Sequence, residues 1–251
     1  MNRKSLTRRD FLRNTTLGMA GLWLSSRSSL GKIESPNNRL NIGIIGTANR
    51  AQANITGVAS ENIVASCDID DDYLAAMTQK FPAAKRYNDF RKLLEQKNID
   101  AVVISTADHT HAVIAVAAMK AGKHVYCEKP LAHTVSEARW VARAAAEYKL
   151  ATQMGTQIHA EKNYRRVVEL IQHGDIGPVT ECHVWCEKSW SGGYRPAEKP
   201  PIPSRLHWDL WLGPAPERPY HPDYLPKNWR RWWDFGNGTL GDMGCHYLDL
   251  V

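Results

Sequence analysis

The sequence has few cysteines for stabilising disulfides and no apolar run long enough to anchor it in a membrane. Only five cysteines occur among 251 residues. Cys182 and Cys186, four apart in a strand-like stretch, would lie roughly 13 Å apart at ~3.3 Å per residue, too far for a disulfide. No apolar run approaches the ~20 residues of a membrane-spanning helix. With 43% hydrophobic residues, the chain is long enough for a globular protein with a substantial core.

The chain also lacks a basic surface outside its first 32 residues. The formal net charge is +6, but that leading segment holds seven Lys/Arg and one acid. The remainder has 32 − 7 = 25 bases and 26 − 1 = 25 acids. A neutral body offers no stripe of positive charge for a phosphate backbone, so we predict no nucleic-acid partner.

The leading segment, residues 1–32, is typical of an export signal. Arg8 and Arg9 precede a Phe-Leu pair, a short apolar run at 17–24 and a Ser-rich stretch. The twin arginine predicts the Tat route, a periplasmic or otherwise exported protein, and no stable membrane anchor after cleavage. An ordinary basic amphipathic N-terminus is the alternative.

Short apolar strands alternate with helical patterns through the first half of the chain. The predicted strands are at 40–46, 62–68, 100–106, 123–129 and 150–157, and the predicted helices are at 50–59, 71–80, 89–97, 111–122 and 135–148. Strands without an exposed face, separated by helices, indicate a parallel sheet covered on both sides. We therefore predict a doubly wound α/β Rossmann domain over residues 38–157.

The pattern changes in the second half, at 158–251. A helix ending at Gly174 precedes residues 178–190, where polar and apolar residues alternate as in a half-exposed antiparallel strand. We predict a partial α+β substrate or oligomerisation domain with a mostly antiparallel sheet. Because the last residues still read as an apolar helix, we expect the sequence to be a fragment of a longer protein.

The first strand runs into "GIIGTANRAQA", which suits a dinucleotide. Against the pattern G-x-G-x-x-G, Gly46 keeps the first glycine and alanines replace the other two. Asp68 ends the next strand, 22 residues later, where it could accept hydrogen bonds from a ribose. The predicted pyrophosphate-binding residues are Gly46, Thr47, Ala48, Asn49 and Arg50. The acidic run at 68–72 would repel a 2′-phosphate, so NAD is favoured over NADP. A plain strand–turn–helix is the alternative.

Two further strand ends carry polar residues to the same edge of the sheet. In "STADHTHA", Thr106 and Asp108 could cap the next helix and face the cofactor, and His109 could contact it; packing is favoured over metal binding for its H-x-H pair. In "CEKP", Lys129 could move a proton or stabilise an alkoxide, with Glu128 holding it in place. A surface lysine is the alternative.

The last motif, "GDMGCHYLD", places Asp242 and His246 on one face of a helix. His246 is a plausible base and Asp242 could orient it or bind a hydroxyl; capping and packing is the alternative. Seven tryptophans between 185 and 233 could stack on a sugar, or serve loop packing or a subunit interface: Trp185, Trp190, Trp208, Trp211, Trp229, Trp232 and Trp233.

Taken in order, Gly46 with Asp68, "STADHTHA", "CEKPLAHT" and "GDMGCHYLD" resemble the glucose–fructose oxidoreductase/inositol dehydrogenase (Gfo/Idh/MocA) family over about 40–251. The resemblance implies an NAD(P)-binding Rossmann domain followed by an α/β domain with a large open antiparallel sheet. It implies a catalytic Lys129 before a cis proline, with His246 and Asp242 in substrate binding and proton transfer. The chain departs from the family at the alanines of the glycine turn and at His159, which replaces an arginine pair.

These motifs together predict an exported NAD-dependent oxidoreductase that acts on a hydroxyl of a sugar, polyol or glycoside. A variant would keep NAD bound and recycle it during elimination, hydrolysis or epimerisation. A non-catalytic nucleotide- or sugar-binding protein is the alternative from another class. We expect the full-length protein to be a homo-oligomer and predict no metal site.

Overall fold

A parallel sheet of six strands, in the order β3-β2-β1-β4-β5-β6, organises the computed structural model, which describes residues 39–251. The strands are β1 (Asn41–Ile45), β2 (Asn62–Cys67), β3 (Lys85–Tyr87), β4 (Ala101–Ile104), β5 (His124–Glu128) and β6 (Thr152–Gly155). The helices between them are α1 (Ala51–Gly57), α2 (Asp71–Lys80), α3 (Phe90–Leu94), α4 (Asp108–Lys120) and α5 (Val135–Tyr148). This is the doubly wound order of a Rossmann sheet, as predicted.

The strand order reverses at β1, which pairs in parallel with both β2 and β4. Buried isoleucines of β1, Ile42, Ile44 and Ile45, contribute to the cores on the two faces of the sheet. Ligands bind outside the carboxyl ends of the strands at such a switch point. The first glycine turn directly follows β1, so the fold places it there.

The sequence pattern located most elements, and the main differences concern α3, α4 and β3. Helix α4 runs over Asp108–Lys120 rather than the predicted 111–122. Helix α5 matches its predicted range because a capping box fixes its start: Thr134 accepts from the backbone of Glu137, whose side chain accepts in return. Helix α3 is shorter than the predicted 89–97. Strand β3 was missed, since three residues, two of them charged and exposed, carry no apolar pattern.

The second half of the chain is helical where it is regular. It contains α6 (Lys162–His173), α7 (Trp208–Leu212), α8 (Gly238–Tyr247) and short 3-10 turns at Pro222–Tyr224, Asn228–Arg231 and Leu248–Leu250. Helix α6 ends at Gly174 in the left-handed conformation, as its sequence predicts.

The predicted strand at 178–190 is wrong for this structure. Within the described chain the segment forms no strand, and its alternating residues, such as Val184 and Trp185, are exposed. A strand needs a partner for its backbone groups, and no described segment supplies one. The predicted antiparallel sheet is not present in residues 39–251, where the antiparallel pairing found is a single bridge between Asp70 and Leu206.

Aromatic side chains form a separate core in the second half. Trp208 stacks on Trp211 with ring centroids 4.7 Å apart, and Phe235 is fully buried against Trp211. Of the seven tryptophans, Trp208 and Trp211 serve this packing, whereas Trp185 and Trp233 are exposed. All five cysteines are free. Among the described residues, no helix is long and apolar enough to cross a membrane. The predicted signal at 1–32 lies outside the described residues.

Candidate active site

A cavity of about 1260 Å³ opens over the carboxyl ends of β1, β2, β4 and β5. The second half of the chain closes its other side with residues from α7 and α8 and the turns between them. Every residue predicted from the sequence to bind cofactor or act in catalysis lines this cavity: Gly46, Thr47, Ala48, Asn49, Arg50, Asp68, Thr106, His109, Glu128, Lys129, Asp242 and His246. The structure thus brings them together, while their individual roles stay predictions.

The turn after β1 has the conformation that a glycine permits. Gly46 has φ +81°, and a Cβ there would lie 2.7 Å from the Ser105 carbonyl oxygen. Beyond it, the backbone N–H groups of Ala48, Asn49 and Arg50 make no hydrogen bond within the described chain. Three neighbouring free donors that face a cavity suit the oxygens of a pyrophosphate, so the turn fits a dinucleotide despite its alanines.

Asp68 supports this turn from behind. Its Oδ2 accepts from the backbone N–H of Thr47 at 2.7 Å and from the Thr47 hydroxyl at 2.8 Å. Burial raises the pKa of Asp68, and the Thr47 hydrogen bonds offset only part of that rise. The carboxylate also lines the cavity. Contact with a ribose stays a prediction; what the structure adds is that Asp68 holds the glycine turn.

The acidic run after Asp68 has structural partners that the sequence did not reveal. Asp70 caps α2 by accepting from the Asp72 backbone N–H at 3.0 Å. Arg205 pairs with Asp70 at 3.1 Å and with Asp72 at 3.3 Å. The run is therefore partly neutralised, which weakens the charge argument against a 2′-phosphate.

Thr106 and His109 begin the segment after β4, but not as caps. Helix α4 has Ala107 at its N-cap and no side-chain cap, so the predicted capping by Thr106 or Asp108 is wrong. The Thr106 hydroxyl accepts from Thr110 at 2.7 Å. His109 is buried, with its ring nitrogens near the carbonyl oxygens of Trp211 and Phe235. Burial lowers the pKa of His109 to about 4, so the ring is neutral and mainly packs.

Lys129 stands at the end of β5 and meets Asp242 across the cavity. Its Nζ donates to the Asp242 carboxylate at 2.5 Å and to the Asp242 backbone carbonyl at 2.8 Å. The bond from Lys129 to Pro130 is cis, as the family resemblance implies. Both side chains are about nine-tenths buried, so this is no solvated surface lysine. Its partner is Asp242, and the expected role of Glu128 in holding Lys129 is wrong.

Glu128 instead joins the strand to the helix that follows the glycine turn. Its buried carboxylate accepts from Asn54 at 2.8 Å and from Arg50 at 3.1 Å. Arg50 and Asn54 are four apart and so share one face at the start of α1. That spacing was visible in the sequence, but nothing in it pointed to Glu128.

Arg230 is a site residue that sequence reasoning missed. Its Nε lies 3.2 Å from Asp242 Oδ1, the oxygen that also accepts from Lys129, and its guanidinium lies over the Trp229 ring. Burial raises the pKa of Asp242, but the hydrogen bond and charge of Lys129, with those of Arg230, outweigh it and leave that pKa below its usual value. Asp242 is thus an ionised acid between two cations.

His246 lies one helical turn beyond Asp242 on α8 and is half-buried at the cavity. Burial, and next the charge of Lys129, lower its pKa below 6.5, with Asp242 opposing them. A neutral imidazole beside a charged lysine can accept a proton near neutral pH. The arrangement therefore offers a fixed cation, its counter-ion and a separate base around one cavity.

Two sequence models of a single oxidoreductase family match the chain. Residues 40–156 match the model described as "Oxidoreductase family, NAD-binding Rossmann fold". Residues 176–251 match the model described as "Oxidoreductase family, C-terminal alpha/beta domain". Together they cover well over half of the sequence, with residues 157–175 between them.

Individual relatives agree with this assignment. Inositol 2-dehydrogenase from Salmonella typhimurium (strain LT2) is 36% identical over 145 residues, 57% of this chain and 43% of the relative. "Glycosyl hydrolase family 109 protein" from Solibacter usitatus is 35% identical over 195 residues, 69% of this chain and 44% of the relative. The chain thus spans less than half the length of these relatives.

Among solved structures, scyllo-inositol dehydrogenase from Lactobacillus casei with bound NAD(H) and scyllo-inositol shares the fold. It superposes with a TM-score of 0.54 at 24% identity, over 57% of this chain and 44% of that one. The fold, the glycine turn and both family models agree. Residues 40–156 therefore form an NAD-binding Rossmann domain, and the chain belongs to the Gfo/Idh/MocA oxidoreductase family.

Proposed function

We propose that the full-length protein oxidises a hydroxyl of a polyol, sugar or glycoside with NAD. The observation that carries this proposal is the meeting of Lys129, Asp242 and His246 at the cavity over the switch point. The similarity to inositol 2-dehydrogenases supports a polyol, and inositols are the first substrates to try.

The side chains divide the work according to their charges. Bound NAD supplies the hydride acceptor. Lys129, fixed by Asp242, presents a positive charge that stabilises an alkoxide developing on the substrate. His246 accepts the hydroxyl proton because its lowered pKa leaves it neutral near neutral pH. Asp242 keeps the lysine in place, and Arg230 is the second cation that contacts the Asp242 carboxylate.

Formation of NADH by the full-length protein, tested with a panel of inositols and sugars, decides the proposal. Lys129→Ala should lower kcat by ~10²–10⁴-fold, the usual contribution of a positioned acid–base or electrostatic group. Lys120→Ala, at the exposed end of α4, is the matched control and should leave kcat unchanged. Turnover that survives in Lys129→Ala would remove the catalytic role. NAD binding without turnover on any panel member would favour a non-catalytic binding protein.

A second candidate reaction recycles the cofactor. Similarity over 69% of the chain to a glycosyl hydrolase family 109 protein favours it, and export would favour a bound cofactor because free NAD is scarce outside the cytoplasm. The substrate would be oxidised, undergo elimination, hydrolysis or epimerisation as a ketone, and be reduced again. NAD that copurifies with the protein, with product formed but no net NADH, would support this candidate; stoichiometric NADH would contradict it.

We also propose that the protein is exported by the Tat route, on the strength of Arg8 and Arg9 before a short apolar run. Replacing both arginines with lysine should retain the full-length protein in the cytoplasm of a Tat-competent host. Fractionation of the two forms tests this, and equal export of both would contradict it.

A further inference from the structure

Two buried histidines at the start of α4 each have both ring nitrogens next to backbone carbonyl oxygens. At His111, Nδ1 lies 2.6 Å from the Pro130 oxygen and Nε2 lies 3.1 Å from the Thr106 oxygen. At His109, Nδ1 lies 3.2 Å from the Phe235 oxygen and Nε2 lies 2.9 Å from the Trp211 oxygen. The cofactor contact predicted for His109 was not predicted for His111, whose role is therefore open.

A carbonyl oxygen only accepts hydrogen bonds, and a neutral imidazole carries a single N–H. A ring that donates to both carbonyls must be an imidazolium, whereas a neutral ring can donate to one of them only. Burial opposes that charge at His111, but Cys127 and the Asp108 carboxylate, with the Pro130 carbonyl, raise its pKa to about 10. His109 differs because burial there outweighs the Trp211 and Phe235 carbonyls and lowers its pKa to about 4, so that ring stays neutral.

The two carbonyls that His111 contacts belong to segments on which the reaction depends. Thr106 follows β4 beside the glycine turn, and Pro130 directly follows Lys129. With only 1% of its surface exposed, His111 is locked between them. The turn that carries the lysine is therefore tied to the neighbouring strand end through one ring.

Helix α4 also reaches the start of the helix that bears the other site residues. The Asp108 carboxylate lies 3.4 Å from the backbone N–H and from the side-chain amide of Asn237, which is the N-cap of α8. The same amide donates to the Ala132 carbonyl at 3.3 Å. One end of α4 thus contacts both the lysine turn and α8.

We propose that His111 is a positioning residue: as an imidazolium it joins the Thr106 and Pro130 carbonyls and so holds Lys129 in the orientation that meets Asp242. The inference rests on the proposed function for its kinetic consequence only. The titratable groups that face the ring are Cys127 on β5 and Asp108 on α4, and the charges of Lys129 and Arg230 act on Asp108. Cys127 and Asp108 are the neighbours that favour a positive charge on His111.

A neutron structure of the full-length protein, grown above neutral pH, tests the charge directly. We expect deuterium on both ring nitrogens of His111 and on a single nitrogen of His109. A singly protonated His111 would overturn the inference, whether or not the protein oxidises any substrate.

Substitution tests the positioning. His111→Phe keeps a planar ring of similar size and removes both donors. We expect the contact between Lys129 Nζ and the Asp242 carboxylate to be lost in its crystal structure. We expect kcat to fall by up to ~10²-fold, the effect of a misplacement of about 1 Å, with little change in the KM for NAD. His111→Gln, which keeps one donating amide, should recover part of kcat.

The control is His173→Phe at the exposed end of α6, which should match the wild type. A folded His111→Phe variant that keeps the contact between Lys129 and Asp242, or keeps kcat, would overturn the positioning role. If the wild type turns over no substrate, the proposed oxidation fails, while the crystal and neutron structures still decide the role of His111.

Discussion

The pair formed by Lys129 and Asp242 makes the most direct test of the site energetics. Asp242→Asn keeps the shape of the side chain and removes its negative charge, which leaves two cations, Lys129 and Arg230, with a neutral partner. Removing one member of a buried pair costs ~3–5 kcal/mol. The lower end applies here, about 3 kcal/mol, because the Asp242 backbone carbonyl still accepts from Lys129 and the new amide oxygen can accept too.

Urea unfolding of the full-length protein near pH 7 measures this loss. Lys129→Met should cost free energy of unfolding as well, but the double variant should cost less than the sum, since no unpaired charge remains on that side. The control is Glu95→Gln, which breaks the exposed pair of Lys92 with Glu95. Such a surface pair contributes little, so the control should change stability far less than Asp242→Asn.

The pH dependence of the free energy of unfolding can refute the presence of an ionised Asp242. The folded-state pKa of Asp242 lies below its unfolded value of about 3.9, so its stabilising effect is present above pH ~4 and is lost as pH falls through the folded pKa. The stability gap between wild type and Asp242→Asn should therefore shrink in acid. A gap that stays constant from neutral pH down to about pH 3, or no gap at all, would refute the ionised pair.

Two more outcomes follow from the same cavity. Gly46→Ala should destabilise the protein by ~1–3 kcal/mol and weaken NAD binding, since its Cβ would meet the Ser105 backbone at positive φ. The control Gly57→Ala, with open space around the new methyl group, should change neither property. Calorimetry measures the stability, and NAD titration measures the binding. The kcat/KM of the wild type should fall as pH drops through the lowered pKa of His246, below 6.5, because the base becomes protonated; His246→Gln should be slow at every pH, and an unchanged acid limb in that variant would assign the limb to another group.

Much of the Rossmann half could be predicted because its signals are local. Buried apolar strands, a capping box at Thr134 and glycine at a positive φ each act within a few residues of sequence. The short charged strand β3 has no such signal; it exists because β2 offers it a free edge.

The site was predicted as a set of residues but not as a set of contacts. Lys129 and Asp242 are 113 positions apart, and Glu128 and Asn54 are 74 apart, so no spacing rule links them. The sequence accordingly assigned Glu128 to Lys129, its neighbour in the chain. Arg230 lay inside an aromatic-rich loop that suggested stacking rather than charge. The predicted strand at 178–190 is the opposite case. The alternating pattern is present in the sequence, but no described segment pairs with it.

The contacts of His109 affect how far the two halves of the chain can be separated. Its ring, at the start of α4, is enclosed by the carbonyls of Trp211 and Phe235, which belong to the second half of the chain. Cutting the chain at the boundary near 157 would leave a buried imidazole facing water and strip the aromatic rings of their cover. We therefore expect the Rossmann half, cut at this boundary, to be less stable than it is within the whole chain. Cofactor binding to the first half should protect the second half from proteolysis.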